Sequence, residues 1–270
     1  MQRPPFTRPS LTLTVLLMLG TLAPVARAQG FAAYISPPRF EIQTQAGESL
    51  REVVEIQHVG REKGSYRLYT NDWTMTPDNG VTFTDALAPD SCRPWVAIER
   101  RELTLEPGAR YRYRFQIDVP AGTAPRECRF ALMVEGLNPA EVKGALNFPV
   151  SGRIGVIVYA RIGNAKPNLV IAGQEVANVN GQPTASLNIQ NTGTATGRLE
   201  GFLDATDANG TSLELSPADL PILPGETRRI ALNPVADEGK PPPPLHLPLQ
   251  VKGQLEWDDK RLPVETRFAP

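Results

Sequence analysis

From residue 29 onward the chain is written in short runs of alternating apolar and polar side chains, separated by Gly, Pro, Asn and Asp. Leu50 to Ile56, Tyr66 to Trp73, Tyr111 to Val119 and Arg129 to Val134 carry β-branched or aromatic residues between turn formers. That pattern predicts strands. Arg110-Tyr111-Arg112-Tyr113-Arg114-Phe115 alternates without a break. It predicts a half-buried strand, with rings in a core and guanidinium groups in water. Ala-rich stretches of 3.6 period are missing, and the 27 prolines and 22 glycines are scattered as turn punctuation. The expected fold is all-β.

The second half repeats the plan of the first. Ile56, Gly60 and Gly64 share their spacing with Ile189, Gly193 and Gly197. Asp78-Asn79-Gly80 has a counterpart in Asp207-Ala208-Asn209-Gly210, a hairpin signal. Leu105-Glu106-Pro107-Gly108 matches Leu223-Pro224-Gly225, each ahead of a basic-apolar strand. Three matches in one order predict two immunoglobulin-like β-sandwich domains in tandem, of about seven strands each. The boundary falls in the small, polar stretch Ile162 to Pro167, giving domains 29–162 and 167–270. Pro241 to Pro244 reads as a stiff loop between strands of the second unit.

The start of the chain bears on compartment. Arg3 and Arg8 precede an apolar run, Leu11 to Leu22, and Ala26-Arg27-Ala28 offers a small-x-small cleavage pattern. Residues 1–28 are therefore expected to be a secretory signal peptide; the run is too short, and too broken by Gly20 and Pro24, for an anchor. The leader holds three arginines and no acid, which leaves 25 basic against 29 acidic residues and a net charge of −4. A nucleic-acid partner needs a basic surplus, so the arginine stripe at 110–114 is better read as a strand face. Stable membrane insertion is not expected either. Cys92 and Cys128, an even pair in an exported chain, are disulfide candidates, worth roughly 4 kcal/mol for a loop of this size. The alternatives are two free thiols or a metal site, and neither His58 nor His246 stands at ligand spacing from a cysteine.

Enzymatic signatures are not found. Two isolated histidines give no Ser-His-Asp logic, and the sequence holds no phosphate loop, HExxH or Cys-x-x-Cys. No catalytic residue, metal or cofactor is expected. The stretch that draws attention is Ala145 to Arg161. Leu146-Asn147-Phe148-Pro149-Val150-Ser151 is apolar at every second position, and Ile154 to Tyr159 is almost continuously apolar around Gly155. Pro149 fits an edge, because proline cannot donate to a ladder. One reading is an exposed edge that pairs with another chain, with Leu146, Phe148 and Val150 filling pockets in the partner. The other is the last core strand of the first domain.

These residues carry a resemblance. Ser36-Pro37-Pro38-Arg39, the Leu105-Glu106-Pro107-Gly108 turn, the strand Glu127 to Glu135 and the run Arg153 to Tyr159 make Ile35 to Ile162 resemble the periplasmic pilus-assembly chaperones of the PapD-like kind. The resemblance implies strand donation to pilus or fimbrial subunits, and delivery of those subunits to an outer-membrane usher. It implies that Leu146, Phe148 and Val150 are the donor residues. Two basic residues in the cleft between domains would anchor the subunit's terminal carboxylate: Arg39, and Arg153 as the basic residue nearest the family's lysine. Pro149, the cysteine pair in the first domain and Pro241 to Pro244 depart from the family pattern. A structural or adhesive immunoglobulin-like envelope protein, assembling through the same edge, is the alternative.

Overall fold

The alternation at residues 110–115 is realised in a strand, Arg110–Asp118, that buries Tyr113, Phe115 and Ile117 and turns Arg110, Arg112 and Arg114 to solvent. The computed structural model describes residues 31–137, 140–142, 148–179 and 181–269; the expected leader and Leu146 lie outside the described residues. Its first half contains β1 (Ala33–Ser36), β2 (Arg39–Thr44), β3 (Ser49–His58), β4 (Gly64–Met75), β5 (Val81–Thr84), β6 (Val96–Ile98), β7 (Glu102–Leu105), β8 (Arg110–Asp118), β9 (Arg126–Gly136), β10 (Ala140–Val142), β11 (Phe148–Val150) and β12 (Arg153–Ile162). One sheet runs β1-β3-β8-β6. The facing sheet runs β2-β12-β9-β4-β5, with β7 also on β4. The chain crosses from the first sheet to the second at Pro37-Pro38, where missing N–H donors interrupt the ladder.

Between these sheets Phe115 packs edge-to-face with Phe40 and Phe130, among Val54, Ile56, Leu68, Leu132 and Val158. Each such side chain, fully buried, contributes about 1.5–3 kcal/mol. Cys92, in the loop before β6, is disulfide-bonded to Cys128 of β9. The second half contains β13 (Leu169–Val179), β14 (Gln182–Asn191), β15 (Leu203–Thr206), β16 (Ser212–Pro217), β17 (Thr227–Pro234), β18 (Leu249–Trp257) and β19 (Lys260–Phe268). They form one path, β13-β14-β17-β16-β15-β18-β19, folded over a second core that includes Leu187, Ile230, Leu203 and Phe268. Strand β17 makes the corner: Thr227–Ala231 pair with β14 and Leu232–Pro234 with β16. The protein is all-β, two immunoglobulin-like sandwiches in tandem.

The repeated glycines have a steric reason in both halves. A Cβ at Gly64 would lie 2.5 Å from the His58 ring, and one at Gly60 2.7 Å from it. A Cβ at Gly193 would lie 2.5 Å from the Asn168 nitrogen, and one at Gly197 2.9 Å from Leu169 and Pro167. The repeated turns also coincide in conformation, with Gly108 and Gly225 at φ 74° and 76°. Only a residue without Cβ adopts that region at little cost.

A third apolar cluster lies outside the first sandwich, on the outer face of the six-stranded sheet. It contains Trp73, Ala131, Met133 and Tyr159, and Leu223 of the second half packs against it. Polar contacts flank this junction. The Glu127 carboxylate accepts from the Thr196 amide at 2.8 Å and hydroxyl at 2.5 Å, and Arg161 donates to Asp258 at 3.2 Å and to the Thr196 carbonyl at 2.8 Å. Arg228, 5% exposed, donates to Asn79 at 2.7 Å in the β4–β5 turn. Together these hold the two sandwiches with a polar cleft between them.

Candidate functional site

The stretch singled out by sequence becomes β11 and β12. Strand β12 pairs antiparallel with β9 along its whole length, from Arg153↔Glu135 to Ile162↔Arg126. On its other side β2 pairs with it in parallel, but only from Ile157↔Arg39 to Ile162↔Thr44. Upstream of Ile157, no strand among the described residues occupies that side. The Ile157 amide donates to the Pro38 carbonyl at 3.3 Å, and because backbone groups alternate in direction, the amides of Arg153 and Gly155 face the same vacant side.

The rim continues upstream. Phe148, Pro149 and Val150 pair with Val142, Glu141 and Ala140, so β10 continues β9 and β11 continues β12 as one hairpin. The partner numbers shift by two between the ladders, because four residues separate Glu135 from Ala140 and two separate Val150 from Arg153; at this bend the Ser151 hydroxyl donates to the Gly136 carbonyl at 2.7 Å. One rim of β11 is thus used by its own hairpin, and the other carries no strand among the described residues. Phe31 packs against Gly152 and meets Tyr66 edge-to-face, at the end of the sandwich beside this bend.

Arg39 and Arg153 stand on one face of the sheet but do not share one hollow. Arg39 is in register with Ile157, four residues beyond Arg153, or about 13 Å along a strand. Arg153 borders a hollow with Arg67, Arg101, Tyr69, Asp85 and Glu135 at the far end of the outer face. There Arg67 holds Glu135 at 2.7 Å, and its hydrogen bond keeps that carboxyl below the usual carboxylate range. In this structure the Arg153 and Arg39 side chains line different hollows.

Arg39 instead lies in the cleft between the sandwiches, beside Glu41, Tyr159, Arg161 and Arg198. Its Nε is 2.9 Å from Glu41 and its Nη1 is 3.8 Å from Asp219. Arg198, from the second sandwich, reaches the same two carboxylates: Asp219 at 2.7 Å and Glu41 at 3.5 Å. Burial pushes the Tyr159 hydroxyl beside them up to about 12, so it stays protonated and available as a donor. Burial also raises the Glu127 carboxyl, against the two hydrogen bonds from Thr196 and the charges of Arg129 and Arg161. Arg198 and Asp219 carry no signal in the sequence, because nothing local marks residues brought to the cleft by the second sandwich.

Neither a protein-family model nor a curated protein matches the chain. Among solved structures it is similar to the E. coli chaperone DraB, at 16% identity and a TM-score of 0.47, over 88% of this chain and 98% of that one. It is similar to the YadV chaperone at 12% identity and a TM-score of 0.46, over 88% and 100% of the two chains. A Salmonella enterica SafA pilin–SafB chaperone complex matches at 12% identity and a TM-score of 0.43, over 88% and 96%. No helix among the described residues is long and apolar enough to cross a membrane.

Proposed function

We propose that the chain is a periplasmic chaperone for pilus or fimbrial subunits, exported after removal of residues 1–28, which lends the rim of β11 and β12 to an incomplete subunit sandwich. The observation that carries this reading is the ladder mismatch on β12: β9 accompanies it from Arg153 onward, whereas β2 begins only at Ile157. The stretch between offers backbone donors at Arg153 and Gly155 to an incoming strand. Residues 29–162 supply the rim, and residues 167–270 close the cleft at its end.

In this reading Leu146, Phe148 and Val150 enter the subunit's groove, and their burial offers about 5–8 kcal/mol before ordering costs. The incoming strand runs along β12 until it meets β2, whose first residue is Arg39. Its terminal carboxylate is gripped there by the guanidinium. Arg153, farther up the strand, faces a different part of the partner. Release proceeds by exchange for another strand, with no nucleotide, on delivery to an outer-membrane usher.

The test is recovery of a partner from periplasm with tagged protein. The triple change Leu146→Ser, Phe148→Ser, Val150→Ser is expected to leave thermal unfolding intact and abolish recovery of a subunit. Unchanged recovery would overturn the reading. Ordered self-assembly of the purified protein, lost in the same variant, would favour a structural or adhesive envelope component instead.

A further inference from the structure

Four strands bring charged residues into one row on the outer face of the six-stranded sheet. Glu102 of β7 is in register with Arg67 of β4, Arg67 with Glu135 of β9, and Glu135 with Arg153 of β12. The sign of the charge alternates at every step across the row. Opposite charges placed directly across a ladder attract and like charges repel, so each member suits the next. Arg67 and Glu135 close to 2.7 Å, whereas Arg153 makes no ion pair among the described residues.

The row ends on this cation, and it ends at the vacant rim of β12. The next place in it belongs to whatever strand pairs there. Residues directly opposed across a ladder share a face in either strand direction, so that place lies on the outer face too. Arg153 also borders the hollow that holds Arg67, Arg101, Glu135 and Asp85, three guanidinium groups against two carboxylates. One positive charge is left over beside the rim.

The neighbouring outer place is of another kind. Two residues along β12 stands Gly155, in register with Met133, and a Cβ there would lie 2.5 Å from the Phe83 ring. Phe83 covers that place with an apolar surface. After two more residues the rim is closed by β2 at Ile157. Of the outer places that the rim offers between Arg153 and Ile157, the one opposite Arg153 is therefore the one that calls for a charge.

We infer that the strand received on the rim carries an aspartate or glutamate side chain opposite Arg153, which extends the alternating row by one charge. Arg153 is thereby a specificity residue. A lysine or arginine in the opposing place is rejected by like charge. A slip of two residues along β12 would carry the acid away from the guanidinium and onto Phe83, so the same pair fixes register. The inference rests on the strand-addition reading and concerns a side chain within the bound strand.

The probes are ten-residue alternating apolar peptides with one glutamate moved in turn through every second position, together with matched glutamine and lysine sets. Their binding to the mature protein is measured at low and at physiological ionic strength. At one position glutamate is expected to bind about threefold tighter than glutamine and about tenfold tighter than lysine, with both margins shrinking as salt rises. Arg153→Ala is expected to remove the glutamate preference, Arg153→Lys to keep it, and Arg153→Glu to turn it in favour of lysine, all with the urea midpoint unchanged. Peptides that bind with no glutamate preference at any position, or with one that persists in Arg153→Ala, overturn the inference and leave strand addition standing. Failure of every peptide to bind sinks strand addition, and the inference with it.

Discussion

Arg39 lies directly beside Ile157, the first pairing of β2 with β12, and the four residues before Ile157 have β9 alone beside them among the described residues. One residue therefore marks both the end of an internal strand and the limit of a vacant rim. The register decides which backbone groups are exposed, and this makes the rim testable by proline.

The Arg153 amide faces the vacant side, whereas the Ile154 amide faces β9 opposite Val134. Arg153→Pro is expected to change stability by less than about 1 kcal/mol while lowering peptide or subunit binding at least tenfold, with Arg153→Ala as the side-chain control. Ile154→Pro is expected to destabilise by about 3 kcal/mol or more, because it breaks the β9 ladder. Urea midpoints and binding isotherms on the same preparations separate the two effects.

Glu127 gives a pH signature. Burial raises its folded-state pKa above the ordinary carboxylate value, so at pH between the two the folded state holds more protons than the unfolded. This contribution to stability is full below the unfolded value and is lost as pH rises through the raised folded one. Glu127→Gln keeps an acceptor for the Thr196 amide and removes the titration, and Arg129 retains Asp90 as its partner. The difference in unfolding free energy, variant minus wild type, is expected to move in the variant's favour from pH 4 to pH 7. A flat difference across that range would count against a shifted Glu127.

The repeated glycines rank by what surrounds them. At Gly193 an added methyl meets the backbone of residues 166–168, which a side-chain rotation cannot clear. At Gly60 it meets the His58 imidazole, whose Nδ1 lies 2.5 Å from the Tyr66 hydroxyl. Gly193→Ala is expected to cost about 3 kcal/mol and Gly60→Ala about 1–2 kcal/mol, read as urea midpoint shifts at constant slope.

The Cys92–Cys128 bridge closes a loop of 36 residues between the approach to β6 and the centre of the six-stranded sheet. Replacing both cysteines by serine is expected to lower stability by about 2–4 kcal/mol, and reductant is expected to do the same to the wild type and nothing to the variant.

How far the sequence is legible depends on the range of the interaction. Strand alternation, the Asn79 and Gly210 turns and the paired glycines are set by side-chain period, backbone freedom and steric contact. All of them can be read from the order of residues 50–225 alone. The resemblance draws on Arg153 to Tyr159, and that run does form the long partner of β9. It also groups Arg39 with Arg153, whose spacing linear order does not give. Both are basic, both lie on one sheet face, and only the parallel register of β2 on β12 shows them about 13 Å apart.

By itself the sequence determined that the chain is all-β, repeats one plan twice, and carries an apolar alternating stretch interrupted by Pro149. Those properties follow from neighbours within a few residues. The tertiary structure alone decided that β2 stops short of covering β12, and that Arg198 and Asp219 meet Arg39 and Glu41 across more than 150 residues of chain. Such contacts depend on how two separately patterned sandwiches are set against each other, through Leu223 on the Met133–Tyr159 face and Glu127 on Thr196, and no local pattern encodes that setting.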